Sequence, residues 1–394
     1  MIERSATRQG DGREVPTWFA LGLVGFAAML AYIVLWRGVT RLGSFFGDDL
    51  YAYTQAADRL AATGSPYHPA LVQAPIVSGD NVLIGYFYPP VLAQLFLPLR
   101  DIPHFWLAVG WSTTQAICLV ILLPLILARG STVTPSRALI AIGFGLAFYP
   151  LQYSIFSGNV SGWLAIGVAL SLVAVPRVGG AVAAVATTIK LLPLPMFLAA
   201  LTDRRSRLSA VVPLVVIVAV SVVLAPQAWA DFAKVLPNTL QIGMADSRTN
   251  LSPAHAFSEF GLVGVGSVLG WVLAIGFGVA AVVTGLREGY SNRVLAMAVF
   301  SLTFASSTLW DHYLGVMVPL ILWAWPAVGQ GRRIAIAAFV VLATGLWIRL
   351  DAIPEYRLAL VISLTVCSLA IASTRRREAR ASVPWLRVPA RAMT

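Results

Sequence analysis

Long apolar runs recur along almost the whole chain, and they constrain its fold more than any other feature. A helix of about 20 apolar residues matches the hydrocarbon thickness of a bilayer. Only 11% of the residues are charged and 58% are hydrophobic, so the chain cannot cover a water-soluble surface. We predict an all-α polytopic membrane protein with about twelve transmembrane helices. The predicted spans are roughly 17–36, 83–99, 104–128, 138–156, 161–175, 179–201, 209–226, 261–285, 294–309, 313–328, 334–349 and 357–373.

Arginines between these runs indicate the orientation of the chain. Loops rich in Lys and Arg stay on the cytoplasmic side, and a cytoplasmic N-terminus places about 17 of these residues inside against about 10 outside. We therefore predict a cytoplasmic segment at 1–16, one transmembrane domain at 17–373 and a basic cytoplasmic tail at 374–394. Proline and arginine usage is typical of a GC-rich bacterium, which places the protein in the inner membrane.

The same orientation concentrates polar groups on the outer face. It places two long loops there, at about 37–82 and 227–260, together with the corner Trp310-Asp311-His312. An enzyme that uses a lipid-linked substrate needs its carboxylate at this membrane boundary. A transporter of lipid-linked glycans is the alternative, although related halves and midplane ionisable groups are typical of transporters and the sequence has no evident internal repeat.

The first outer loop contains the stretch FFGDDLYAYTQAADRLAATGSPYHP at 45–69. Its apolar residues recur at helical spacing from Leu50 to Leu60, and Gly64 ends the pattern, so we predict a juxtamembrane helix on the outer surface. Asp48 or Asp49 starts this helix. One of them is explained equally well as an N-cap, whereas two adjacent carboxylates at a low-dielectric boundary would raise the pKa of one and suit a general base.

Several motifs in chain order resemble glycosyltransferase family 87, the polyprenol-phosphate-mannose-dependent mannosyltransferases of the GT-C fold. The resemblance starts at Asp49-Leu50-x-x-Tyr53 and extends to about residue 325. The further motifs are YFYPPVLAQLFLPL (86–99), FSGNVSGWLAIGVAL (156–170), GGAVAAVATTIKLLPLPMFL (179–198), NLSPAHAF (250–257) and STLWDHYLGVMVPLILW (307–323).

The resemblance implies a hexosyltransferase. Members of the family transfer a hexose, usually mannose, from a polyprenyl phosphate in the outer leaflet to a hydroxyl of a lipid-linked or cell-envelope glycan. The family's catalytic carboxylate corresponds to Asp49, with Asp48 as the competing candidate. An inverting mechanism is implied, in which this carboxylate takes the proton of the acceptor hydroxyl.

Cations are expected opposite that carboxylate, because lipid phosphate leaves in the reaction. Lys190 is one of two lysines in the chain and lies within a predicted span, where charge is costly and usually functional; snorkelling or an ion pair is the alternative. Arg248 is a second candidate phosphate contact or a solvated loop charge. His312 is expected to contact the leaving phosphate or the sugar, with helix capping as the alternative.

We assign Asp49, His312 and Lys190 as catalytic. The residues expected to bind substrate are Asp48, Tyr53, Tyr88, Arg248, Asn250 and Asp311. Tyr88 and its aromatic neighbours are equally consistent with interfacial anchors, and Asp311 with a residue that only orients the corner. Asn159 is not assigned, because the predicted topology places it near the cytoplasmic end; either its motif is a packing turn or the spans between about 130 and 177 are wrong.

The sequence gives no indication of a metal, a cofactor or a nucleic-acid partner. It contains no Asp-x-Asp pair and no clustered His/Asp ligand set, and both cysteines, Cys118 and Cys367, lie within apolar runs. The expected partners are therefore a polyprenyl-phosphate sugar donor, a glycolipid or envelope-glycan acceptor, and the bilayer.

Overall fold

A computed structural model describes residues 46–73, 86–128, 133–174, 176–242, 250–306, 309–348, 350 and 353–374, with a few positions between 16 and 28. The described residues form helices and no strands. The α-helices are α1 Asp48–Thr63, α2 Pro69–Gln73, α3 Pro90–Phe96, α4 His104–Ala128, α5 Pro135–Ala147, α6 Tyr149–Phe156, α7 Val160–Val173, α8 Pro176–Ile189, α9 Leu194–Ala200, α10 Arg204–Leu224, α11 Pro226–Ile242, α12 Pro253–Ser258, α13 Val263–Glu288, α14 Asn292–Ala305, α15 Met317–Ala324, α16 Gln330–Thr344 and α17 Pro354–Ala372. Short 3-10 helices lie at Leu97–Leu99, Asp311–Val316, Trp325–Ala327 and Gly345–Ile348.

The helices confirm a multi-pass membrane protein. Helices α4, α10, α13 and α17 are long and apolar enough to cross a bilayer, and α5 with α6 forms a further candidate that is bent by 68°. Helix α4 has the bounds predicted for the span 104–128. The predicted span 17–36 and the two terminal segments lie largely outside the described residues.

Helix α1 forms where the sequence predicts a helix in the first loop. It begins after Gly47, whose φ of 80° places it in the left-handed region, and no side chain caps its first turn. Asp48 and Asp49 are therefore the first two helical residues, and the N-cap explanation for either carboxylate is wrong. Gly64 ends the helix as predicted, with φ 77° and its N–H donating to the Leu60 carbonyl oxygen.

The predicted span 83–99 does not cross the bundle. The Tyr88 hydroxyl lies 3.3 Å from that of Tyr53, and the His104 Nε2 lies 3.1 Å from the carbonyl oxygen of Phe46. Both ends of 86–104 thus contact the beginning of α1, so the segment leaves and returns on one side. Helix α3 is too short to span a bilayer, because it starts only at Pro90 and passes into a 3-10 turn at Leu97.

The predicted span 179–201 is a hairpin. Helices α8 and α9 are separated at 190–193, and both outer ends of the pair lie beside Ser206 at the start of α10. A Cβ added at Gly180 would lie 2.5 Å from the Ser206 carbonyl oxygen, and the Ser206 hydroxyl donates to the Ala200 carbonyl oxygen at 2.6 Å. The chain therefore enters and returns on the same side, with Lys190 at the tip.

Because one predicted crossing is removed before 104, every predicted span between 104 and 175 runs in the opposite direction to the prediction. The hairpin then replaces a second predicted crossing before 204, so the spans after 204 keep their predicted direction. The sequence-based placement of Asn159 at the opposite end from the α1 carboxylates was wrong for this reason. Its turn lies instead beside α1, where the Gly47 N–H donates to the Phe156 carbonyl oxygen at 3.0 Å.

The bundle has two distinct ends. We call them the Asp49 end, which holds α1, His104 and the 156–159 turn, and the Asp203 end, where Asp203 accepts a hydrogen bond from the Tyr290 N–H. The Asp203 end also carries exposed arginines at the helix termini. They are Arg177, Arg204, Arg205, Arg207, Arg287, Arg332 and Arg333.

Candidate active site

The beginning of α1 is fixed against the turn between α6 and α7. The Asp49 backbone N–H donates to the Ser157 carbonyl oxygen at 3.0 Å. Gly158 has a φ of 71°, and a Cβ added there would lie 2.9 Å from the Leu50 Cβ. Only glycine combines this backbone conformation with so close an approach, so the FSGN motif positions the two carboxylates of α1.

Buried tyrosines extend this contact. The Tyr53 hydroxyl donates to the Tyr88 hydroxyl at 3.3 Å and accepts a hydrogen bond from the Val160 N–H at 3.4 Å. Tyr88 is also hydrogen-bonded to the side chain of Asn159, whose Oδ1 caps α7 by accepting from the Ser161 N–H at 2.7 Å. The structure thus brings the predicted residues Tyr53 and Tyr88 together and adds Asn159, which the sequence analysis left unassigned.

The Lys190 ammonium at the hairpin tip reaches the same place. Its Nζ lies 3.5 Å from the centroid of the Tyr313 ring and 5.5 Å from that of Tyr88. Asp49 is its electrostatic partner, and Nζ is buried with no hydrogen-bond acceptor among the described residues. The Lys190 side chain therefore does not snorkel to water. A buried ammonium without an acceptor is suited to receive an anionic group.

The two carboxylates of α1 differ in their surroundings. Partial burial, and then the neighbouring charge of Asp49, raise the pKa of Asp48 to about 6. The raised pKa that the sequence predicted for one member of the pair therefore falls on Asp48. Asp49 instead interacts electrostatically with Lys190, Tyr53, Tyr88 and Tyr313.

Asp311 and His312 lie beside Tyr153, which also interacts electrostatically with the two carboxylates of α1. The Asp311 Oδ1 accepts from the His312 backbone N–H at 2.8 Å and lies 3.6 Å from its Nδ1. The rings of His312 and Tyr153 are 6.0 Å apart, and Tyr153 interacts electrostatically with Asp48, Asp49 and Asp311. Neither ring nitrogen of His312 has a hydrogen-bond partner in the described part of the chain, so this histidine is not a helix cap.

Asn250 joins the loop predicted at about 227–260 to the Trp310 corner. Its Oδ1 accepts from the Ser252 N–H at 2.9 Å and from the Leu309 N–H at 3.0 Å, while the Leu251 N–H donates to the Leu309 carbonyl oxygen at 2.7 Å. Asn250 therefore holds the corner that carries His312, and its predicted contact with substrate stays a prediction. Arg248 lies outside the described residues.

The site therefore collects groups that are far apart in the sequence. They are Asp48, Asp49, Tyr53, Tyr88, Asn159, Lys190, Asp311, His312 and Tyr313. Within the described ranges, no group of three or more His, Cys, Asp or Glu side chains is arranged to hold a metal ion. The arrangement provides a carboxylate pair and a buried cation around one site, at one end of a membrane bundle.

Comparison with known proteins agrees with this chemistry. The sequence model described as glycosyltransferase family 87 matches residues 86–310, which is more than half of the 394-residue chain. The matched range includes Tyr88, Asn159, Lys190 and Asn250, whereas α1 with its carboxylates precedes it. No curated protein and no solved structure matches the chain. The chain belongs to glycosyltransferase family 87 and is a membrane glycosyltransferase.

Proposed function

We propose that this protein transfers a hexose, with mannose as the first candidate, from a polyprenyl-phosphate sugar to a hydroxyl of a lipid-linked or envelope glycan. The observation that carries the proposal is the electrostatic interaction of Asp49 with the Lys190 ammonium, which is buried over the Tyr313 ring in the same site. Bond formation at an anomeric carbon requires a base for the incoming hydroxyl and a positive charge for the departing phosphate.

The reaction is a single displacement. The acceptor oxygen attacks the anomeric carbon while Asp49 takes the hydroxyl proton. The bond between that carbon and the phosphate oxygen breaks, and its electron pair leaves with the lipid phosphate. Attack opposite the leaving group inverts the anomeric configuration. Lys190 receives the phosphate charge, since it is held by aromatic faces and lacks an acceptor of its own among the described residues.

We retain Asp49 as the base and Asp48 as its competitor. The assignment of Asp49 is supported by its electrostatic interaction with Lys190, which puts a base and a cation in one site. Asp48 has the pKa of about 6, which is close to the working pH expected of a general base. The two roles are separable by substitution, because an amide keeps the shape of either side chain and removes its basicity.

The distribution of charge supports an outer-face site in a bacterial inner membrane. The exposed arginines of the Asp203 end favour the cytoplasmic side by the positive-inside rule, which supports an external Asp49 end. A polyprenyl-phosphate donor suits such a site because its phosphate lies at the membrane boundary, where Lys190 meets the tyrosines. The GT-C fold and cytoplasmic termini are part of the same proposal.

The test is sugar transfer by purified protein in lipid nanodiscs. Polyprenyl-phosphate mannose and polyprenyl-phosphate glucose are supplied separately with a bacterial glycolipid extract, and the wild type is compared with Asp49→Asn and Asp48→Asn. Asp58→Asn is the matched control, because Asp58 is an exposed carboxylate on the same helix. We expect transfer from the mannose donor, lost in Asp49→Asn and kept in Asp58→Asn. Binding and release of unaltered donor by the wild type would instead indicate a transporter.

A further inference from the structure

The hydroxyl oxygen of Tyr88 receives two hydrogen bonds from the protein. The Tyr53 hydroxyl donates one of them at 3.3 Å. The Asn159 side chain donates the other, because its Oδ1 is turned to the Ser161 N–H at 2.7 Å and its amide N–H faces Tyr88. The Tyr53 oxygen in turn accepts from the Val160 N–H at 3.4 Å. Both hydrogen bonds to Tyr88 therefore originate at the beginning of α7.

The proton of the Tyr88 hydroxyl is the open end of this chain of hydrogen bonds. A hydroxyl has one proton and two lone pairs, and both lone pairs of Tyr88 accept hydrogen bonds. Among the described residues, no atom accepts the proton. The backbone of Tyr88 is fixed as well, because the Tyr67 hydroxyl donates to its carbonyl oxygen at 2.8 Å. The protein thus holds this oxygen in place and leaves its proton to be donated within the site.

Two further donor groups lie beside Tyr88. The Lys190 Nζ lies 5.5 Å from the centroid of the Tyr88 ring and 3.5 Å from that of Tyr313. The His312 ring packs edge-on against the same Tyr313 ring, with centroids 4.6 Å apart. His312 is only 7% exposed, and neither of its ring nitrogens has a hydrogen-bond partner in the described structure. An ammonium, an imidazole N–H and a phenol hydroxyl are all donors, so together they favour an anionic oxygen.

We propose that Tyr88 is a further catalytic residue, whose hydroxyl donates a hydrogen bond to the phosphate oxygen that leaves the anomeric carbon, and that Tyr53 and Asn159 position it. The inference rests on the proposed sugar transfer. When the bond between the anomeric carbon and this oxygen breaks, its electron pair stays on the oxygen and the phosphate gains a negative charge. The hydrogen bond strengthens with that charge, while the proton stays on the phenol. Tyr88 therefore stabilises the departing phosphate more than it stabilises the bound donor.

The experiment compares the binding of product and donor lipids by purified protein in phosphatidylcholine nanodiscs. Polyprenyl phosphate and polyprenyl-phosphate mannose are titrated separately at about pH 7.5, where a phosphate monoester carries close to two negative charges. We expect Tyr88→Phe to weaken the binding of polyprenyl phosphate about tenfold and that of the mannosyl donor less than about threefold. The kcat of sugar transfer should fall about tenfold or more. Tyr290→Phe is the matched control, because Tyr290 is buried at the Asp203 end and its hydroxyl has no partner in the described chain; both affinities should be unchanged.

Tyr53→Phe tests the positioning role. It should weaken the binding of polyprenyl phosphate about threefold, and the double variant with Tyr88→Phe should bind no more weakly than Tyr88→Phe alone, because Tyr53 acts through the Tyr88 hydroxyl.

Three outcomes overturn the inference alone. The first is equal or no weakening of the two lipids by Tyr88→Phe, and the second is additive losses in the double variant. The third is a changed pH profile of kcat with unchanged lipid affinities in Tyr88→Phe, which would show that Asp49 accepts the Tyr88 proton. Failure of the wild type to bind either lipid overturns the proposed function and the inference with it.

Discussion

Gly158→Ala tests whether the turn before α7 fixes the carboxylates of α1. The new methyl group would sit 2.9 Å from the Leu50 Cβ, in a residue whose φ is 71°. The left-handed conformation costs alanine about 1 kcal/mol relative to glycine. The overlap with a buried side chain costs about 1–3 kcal/mol more, because Leu50 is fully buried and cannot move aside without shifting its helix.

Gly64→Ala is the control for the conformational part of that cost. Gly64 has a φ of 77°, and nothing lies within 4 Å of an added Cβ. We therefore expect Gly64→Ala to lose about 1 kcal/mol of stability and Gly158→Ala about 2–4 kcal/mol. The measurement is thermal unfolding of both purified variants in detergent, followed by intrinsic fluorescence.

Sugar transfer should separate the two variants further. A displacement of about 1 Å at Asp49 costs on the order of 10²-fold in rate, so Gly158→Ala should lose most transfer while Gly64→Ala keeps it. Equal unfolding temperatures and equal transfer in the two variants would refute the reasoning, because they would show that α1 is not held by the 156–159 turn.

Three further predictions concern stability. Lys190→Met should leave the unfolding temperature unchanged or raise it, because the lost cation–π contacts are worth about 0.5–2 kcal/mol and burying an ammonium costs more; a large fall would indicate a structural lysine. Asn250→Ala should lower stability by about 2–4 kcal/mol in thermal unfolding, since the Ser252 and Leu309 N–H groups lose their acceptor; an unchanged midpoint would contradict this. The folded-state pKa of Asp48, about 6, lies above its ordinary 3.8, so the folded protein holds this proton more tightly than the unfolded chain. The free energy of unfolding should therefore fall by about 1 kcal/mol, allowing for solvent screening, as the pH rises from 4 to 7. Asp48→Asn should flatten that profile, and an identical slope in both proteins would refute the assignment.

Hydropathy identified the apolar segments but not which of them cross the bundle from one end to the other. The run 104–128 became one helix with the predicted bounds, because an unbroken apolar run of that length has one favourable arrangement in a bilayer. The run 179–201 has similar composition yet folds as a hairpin. Pro193 has no N–H and interrupts its hydrogen-bond ladder, and the returning half packs beside Ser206, a contact that no local pattern reveals.

Several of the predicted site residues lie together in the structure, although two of the predicted spans do not cross the bundle. Asp49 and Tyr53 come from one motif and Tyr88 and Lys190 from two others, and the structure places them in electrostatic or hydrogen-bond contact. Asn159 was left unassigned because the span 83–99 was wrongly predicted to cross the bundle. The motif that contains Asn159, at 156–170, is nevertheless part of the family resemblance. Tyr153 gave no signal, since a tyrosine in an apolar run is typical of an interfacial anchor and its partners come from distant segments.

The most direct test of the account measures donor binding and sugar transfer together in two variants. Lys190 is assigned to the donor phosphate and Asp49 to the acceptor proton, so the two substitutions should fail at different steps. We predict that Lys190→Met loses binding of polyprenyl-phosphate mannose, whereas Asp49→Asn binds the donor as the wild type does and transfers no sugar. Donor binding retained in Lys190→Met, or transfer retained in Asp49→Asn, would contradict the account.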